Sequence, residues 1–395
     1  MMKKQQGHMS HLSHSHLHHF FQNKELNEFY LSIAIRTFGE SLISIFIPIF
    51  LYQLGYPIYS IILFYIINAA GFLAFSYPGA KLVSKIGVKH SLLWSTPFFI
   101  VYYLGLRFVE THGWLFYVLP LILSMARVLY NYGYHLNFIT HSERKERGEE
   151  ISFIGIITTL MSLIAPLIGG LIAAYYGFTV LYLIGAGILL LAMTPLFWTK
   201  DKHEPIDFGI KDLYCESISK KEIGNIISFT GYAMESIIGR IIWPIFLIII
   251  LITVQKTGLV VMISMLISVV VFYFAGRITD KYSKLKILKF GTILYFFAWV
   301  GRIFANSAFM VLVIDSYKNI SEKIVHVPWS AQTYDLAIRE GYFKFIVWRE
   351  IVFNLSRIIL MPIILLIFYI GFMPFVISFG IAAMFSIGYI FLNSE

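Results

Sequence analysis

The stretch AGRITDKYSKLK, residues 275–286, decides the fold. Five of its twelve residues are charged, Arg277, Asp280, Lys281, Lys284 and Lys286, and Lys289 follows just beyond. Before it runs LVVMISMLISVVVFYF (259–274), and after it ILKFGTILYFFAWVG (287–301). A dense cationic knot between two apolar runs reads as a loop between two bilayer-crossing helices, because Lys and Arg collect in loops on the cytoplasmic side.

Composition agrees with that reading. The chain is 58% hydrophobic, 17% aromatic and 13% charged, with mean hydropathy +0.75, whereas soluble domains are about a quarter charged. A chain of 395 residues with so few polar groups cannot cover a water-facing surface. About a dozen stretches approach the roughly 20 apolar residues a spanning helix needs. The fifth and sixth are expected near 151–175 and 178–198. The runs are too long and too evenly apolar for alternating barrel strands. No cleavable leader is expected from the polar, His-rich start. The single cysteine, Cys215, excludes an intrachain disulfide framework. The net charge of +9 is assigned to loops, so no nucleic-acid partner is expected.

Taken alternately, one set of connections holds nearly all the cations, including Lys81, Lys85, Lys89, Arg144, Lys145, Arg147, Lys220, Lys221 and the opening knot. The other set holds Arg107 and Lys256. This asymmetry predicts an even number of spans, both termini in the cytoplasm and a cell-membrane location.

The chain also repeats itself. GESLISIFIPIFL (39–51) matches MESIIGRIIWPIFL (234–247), and Pro48 and Pro244 lie 196 positions apart. AKLVSKIGVKH (80–90) matches GRITDKYSKLK (276–286) at the same offset of 196. An internal duplication of this length predicts an all-α polytopic membrane protein of 12 transmembrane helices in two pseudo-symmetric six-helix bundles. The expected divisions are a cytoplasmic tail at 1–27, a first bundle at 28–198, a cytoplasmic linker at 199–225 and a second bundle at 226–395.

GRITDKYSKLK resembles the signature loop of the major facilitator superfamily, Gly-x-x-x-Asp-(Arg/Lys)-x-Gly-x-(Arg/Lys), through Gly276, Asp280 and Lys281, with Ser283 in place of the second Gly. The first-half copy keeps Lys85, Gly87 and Lys89 but carries Ala80 and Ser84. LSMARVLYNYG (123–133) is similar to the family's fourth-helix motif through Arg127, and APLIGG (165–170) to the tail of a fifth-helix motif associated with antiporters. The resemblance implies alternating access, with spans 1, 4, 7 and 10 lining a cavity. It also implies a gating contact from Asp280 to the start of span 5, beside Arg144, Lys145 or Arg147, where a carboxylate meets unpaired helix N–H groups. Ser84 supplies no charge, so the equivalent first-half contact is expected to be weaker.

Several charges fall inside the apolar runs: Glu40, Arg127, Arg240, Asp315, Lys318 and Arg357 centrally, with Glu235 off-centre. Each central ion costs about 2.5–3.5 kcal/mol on insertion scales, so they should line a cavity or pair with each other. Arg36 and Glu40 share a helix face, as do Asp315–Lys318 and Lys318–Glu322. Arg127, Arg240 and Arg357 have no acid three or four residues away, so other helices or a substrate must answer them. Proton coupling asks for a buried acid near a cation, and Glu40, Glu235 and then Asp315 are the candidates.

In the tail, His11, His14 and His18 would share one helical face, which suits a metal only weakly without an acidic or cysteine partner. No cofactor is expected, and no HExxH, GxSxG or nucleotide-loop motif points to an enzyme. The leading expectation is a monomeric secondary transporter for a small organic solute. The fifth-helix motif favours proton-coupled efflux or antiport. The unpaired arginines favour uptake or exchange of an organic anion such as a carboxylate or phosphate ester. A non-transporting scaffold or sensor on the same fold is the alternative of another class.

Overall fold

Pro48 determines where the first long helix breaks. It has no N–H to offer the carbonyl of Ser44, and helix α1 (Lys24–Ser44) gives way at Ile45 to α2 (Phe46–Gln53). In the computed structural model, which describes residues 24–141, 147–198, 209, 222–281 and 284–393, the described chain is helical between short turns and contains no strand. Side chains at 24–26, 137–153, 268 and 270–284 are outside that description. The expected tail histidines His11, His14 and His18, the loop cations Arg144 and Lys145, and most of the linker 199–225 lie outside the described residues.

The helices that follow are α3 (Ile58–Ile86), α4 (Val88–Leu106), α5 (Leu115–His141) and α6 (Arg147–Met193), closed by a 3-10 turn at Thr194–Phe197. The expected fifth and sixth spans are the two limbs of α6. They meet at Gly177, whose φ of 81° and ψ of 166° break the helix in a conformation that a residue bearing a Cβ adopts only under strain. Then come α7 (Ile223–Leu251), α8 (Val254–Lys281), α9 (Lys284–Arg302), α10 (Ala308–Arg339), α11 (Tyr342–Ile370) and α12 (Pro374–Ser386), with a last 3-10 turn at Ile387–Phe391.

Among the described residues, 7 segments are long and apolar enough to cross a membrane: Asn27–Gln53, Ile58–Ile86, Leu115–Leu136, Ile154–Phe197, Ile223–Leu251, Tyr342–Ile370 and Pro374–Phe391. That is fewer than the dozen expected. Ile154–Phe197 contains two expected spans, and α10 carries Asp315, Lys318, Glu322 and Lys323 along its length. Large apolar side chains such as Trp94, Tyr175, Phe309 and Met384 face outward. Such an outer surface suits hydrocarbon and not water.

Both described termini lie at one end of the bundle. Phe29, Val83, Val88, Leu136, Leu196 and Phe343 share a buried cluster there. Phe229 at the start of α7 touches Phe345 and Trp348, and Asn393 donates its backbone N–H to Asn225 Oδ1 at 3.1 Å. The helices before and after the linker meet along two seams, α3 against α11 and α6 against α8.

At the opposite end the second seam is tight enough to exclude side chains. A Cβ on Gly170 would lie 2.7 Å from the Val254 carbonyl oxygen, and one on Gly258 would strike the Pro166 carbonyl. Backbone carbonyls cannot yield as flexible side chains do. Gly258→Val is therefore expected to destabilise the protein by about 1–3 kcal/mol through overpacking, read as a lower unfolding midpoint in detergent. An unchanged midpoint would show that the seam is loose.

Candidate functional site

A cavity of about 690 Å³ lies between the helices of the first and second parts of the chain. Glu40, Arg127, Glu235, Arg240, Asp315, Lys318 and Arg357 all line it. These seven were singled out in the sequence because charge inside an apolar run needs a polar surface, and α1, α5, α7, α10 and α11 supply that surface jointly. Arg36 stands behind the wall, its guanidinium 3.6 Å from the Tyr130 ring centroid and 4.3 Å from that of Phe99.

The acids lining the cavity are largely answered. Arg36 approaches Glu40 at 2.8 Å and Lys318 approaches Glu322 at 3.0 Å, both one helical turn apart as expected. Asp315 departs from expectation: its partner is Arg302 at the end of α9, at 2.9 Å, and not Lys318 on its own helix. The Ser264 hydroxyl donates to the other Asp315 oxygen at 2.8 Å. Arg302 itself is sandwiched between Trp243 and Trp299, with ring centroids 3.9 and 4.3 Å away. Glu350 is paired with Arg349 at 2.9 Å.

Glu235 is held differently. The Tyr295 hydroxyl donates to Oε2 and the Tyr389 hydroxyl to Oε1, each at 2.7 Å. His326 Nε2 lies 2.9 Å from the Tyr389 hydroxyl and 3.8 Å from Glu235. A buried carboxylate with two phenol donors and a histidine at the cavity wall brings α7, α9, α10 and the last turn to one point.

Arg127, Arg240 and Arg357 have no carboxylate partner among the described residues. Arg127 donates to Asn68 Oδ1 at 3.1 Å, and Asn68 is itself fixed by donating to the Pro120 carbonyl and to Ser124. Arg357 reaches Asn354 Oδ1 at 3.3 Å. The charge of Arg240 acts on both other guanidinium groups, and that of Arg127 on Arg357. Three like charges therefore converge on one space, one from the first part of the chain and two from the second. Tyr65, Phe99, Tyr102, Tyr103, Tyr232 and Phe353 supply aromatic wall around them.

Of the expected gating residues, Ser84 is buried, Lys85 is exposed and Gly87 takes a φ of 87° between α3 and α4. Lys89 pairs at 2.9 Å with Glu28, a buried acid of α1 that no local spacing marked. Gly276, Asp280 and Lys281 lie on the described backbone of α8, but their side chains, and any contact of Asp280 with Arg147, fall outside the described residues. Sequence reasoning also passed over Arg302, His326, Tyr295 and Tyr389, whose partners are distant in the chain. No group of three or more His, Cys, Asp or Glu among the described residues is placed to hold a metal ion.

Comparison with known proteins bears on this geometry. The profile of the Major Facilitator Superfamily matches residues 29–213. The chain is also 22% identical over 309 residues to an uncharacterized protein, YqgE, of Bacillus subtilis (strain 168), covering 74% of this chain and 70% of that protein. An apolar helical bundle and a charged cavity built from both parts of the chain make this a multi-pass membrane protein, and its residues 29–213 are similar to the Major Facilitator Superfamily.

Proposed function

We propose that the protein is a secondary active transporter that carries a small organic anion by alternating access, with twelve spans arranged as two six-helix halves around the cavity. One observation carries this reading. Every acid lining the cavity except Glu235 has a cationic partner at 2.8–3.0 Å, while Arg127, Arg240 and Arg357 have none among the described residues. An ionised Glu235 offsets one of the three, which leaves the cavity suited to a cargo bearing about two negative charges, such as a phosphate monoester or dicarboxylate. The aromatic wall favours an organic body over a bare inorganic ion. A scaffold gives no reason for three guanidinium groups without a carboxylate partner among the described residues to face one cavity.

The direct test is uptake of labelled dianionic and neutral solutes into proteoliposomes, with and without a pH gradient. Accumulation of neutral solutes alone would sink the anion reading. The antiporter-like APLIGG tail supports export, and the cation-rich connections support a cell-membrane location with both termini in the cytoplasm.

Proton coupling has its best-placed acid in Glu235, between a tyrosine relay and the cavity. Glu235→Gln is expected to abolish the pH-gradient dependence of transport while leaving exchange at equal pH in place. If Glu235→Gln, Glu40→Gln and Asp315→Asn all transport normally down a pH gradient, these acids do not carry the proton.

A further inference from the structure

We propose that two asparagines, Asn68 of α3 and Asn354 of α11, set the charge of the cargo by holding cavity guanidinium groups without neutralising them. The proposal rests on the anion reading above and deepens it, because it names the residues that keep the positive charge available. Arg127 Nη1 donates to Asn68 Oδ1 at 3.1 Å, and Arg357 Nη1 donates to Asn354 Oδ1 at 3.3 Å. Both asparagines are buried, and all four residues line the main cavity. The two arginines come from different parts of the chain, yet each meets the same functional group.

Each amide is fixed by its other end. Asn68 Nδ2 donates to the Pro120 carbonyl at 2.9 Å and to Ser124 Oγ at 3.0 Å, which ties α3 to α5. Asn354 Nδ2 donates to the Glu350 carbonyl at 2.8 Å, one turn back on α11. A backbone carbonyl only accepts and a guanidinium only donates, so the orientation of each amide is dictated by what it touches. A carboxylate would answer the arginine but face the carbonyl with a second acceptor. An apolar side chain would answer neither. The amide answers both and carries no charge. It aims the guanidinium with one directed hydrogen bond and leaves the positive charge for a bound anion.

Elsewhere around the cavity the chain uses acids for the same task. Arg36, Arg302, Lys318 and Arg349 each lie 2.8–3.0 Å from a carboxylate. Ser264 stands 196 positions after Asn68, the offset of the internal repeat. Its hydroxyl donates to Asp315 at 2.8 Å, and that acid neutralises Arg302. Matching places in the two parts of the chain therefore hold an open cation in one and a closed ion pair in the other. Glu350, the acid nearest to Asn354 in sequence, is taken by Arg349. An acid of the same shape at position 68 or 354 would close the open cation.

The test measures calorimetric binding to the full chain in detergent at pH about 8, where a phosphate monoester carries about two charges. Two probe pairs share a body and differ by one charge: phenyl phosphate with methyl phenyl phosphate, and succinate with succinamate. The parent is expected to favour the dianion. Asn68→Asp and Asn354→Asp should each reduce that preference about tenfold, and the double variant should reduce it further. Asn68→Leu and Asn354→Leu, which remove the hydrogen bonds without adding charge, should weaken both members of a pair alike and keep the preference. With no probe present, each Asp variant should unfold at a higher temperature than the matching Leu variant, because its arginine gains a partner instead of losing one. A parent that favours the dianion in neither pair overturns the anion reading and this proposal with it. A parent preference that survives both Asp substitutions, or that the Leu substitutions abolish equally, overturns the role of the asparagines alone. So does an Asp variant at both positions that unfolds below its Leu counterpart.

Discussion

Asp315→Ala is expected to destabilise the folded protein by about 3–5 kcal/mol, the largest single-residue loss of stability anticipated here. The reason is what it leaves behind. Arg302 is 1% exposed and its one charged partner at ion-pair distance among the described residues is Asp315, at 2.9 Å. Its faces are covered by Trp243 and Trp299, which attract a cation but cannot neutralise it. Removing the acid strands a guanidinium that is almost wholly covered by protein. Adding Arg302→Met removes the stranded charge and should restore most of the loss, because a buried pair exchanged for well-packed apolar groups is often close to neutral. Unfolding midpoints of the single and double variants in one detergent decide the matter. A double variant no more stable than Asp315→Ala would show that the cost comes from packing and not from charge.

Neutralising the cavity arginines should have the larger effect on transport. Each charge-assisted contact to a bound anion contributes about 1.5–3 kcal/mol, so Arg127→Gln, Arg240→Gln or Arg357→Gln should each weaken dianion binding about 10- to 100-fold. The same changes relieve repulsion among the three, so the ligand-free protein should unfold at an equal or higher temperature. Lower affinity joined to undiminished stability separates a ligand-binding role from a structural one. A drop in both, as for Asp315, would place these arginines in the framework. Binding of a labelled dianion beside thermal unfolding of the empty protein reads the two quantities independently.

Parts of this site were legible in the sequence because helices make near neighbours of residues four apart. Arg36–Glu40 and Lys318–Glu322 follow from spacing alone, and the break between the limbs of α6 falls at Gly177, between the two apolar runs. Arg127, Arg240 and Arg357 could be marked by what their own helices lacked. Asp315 could not be placed by the same logic. Lys318 offers a local partner, yet the acid turns to Arg302, which reaches it across the turn between α9 and α10, 13 positions away. The tyrosines that hold Glu235 lie 60 and 154 positions from it, so only the folded bundle brings them together. Helix periodicity reports which face a residue occupies, but it carries no information about which other helix that face will meet.

The two mouths of the cleft are built from unlike materials. At one end Gly170 and Gly258 let main chains touch directly; at the other, side chains from both parts of the chain, Phe29, Val83 and Phe343 among them, meet in an apolar cluster. Main chains in direct contact have no rotamer to change, whereas packed side chains do, so the first end can only part as a rigid body while the second can also repack.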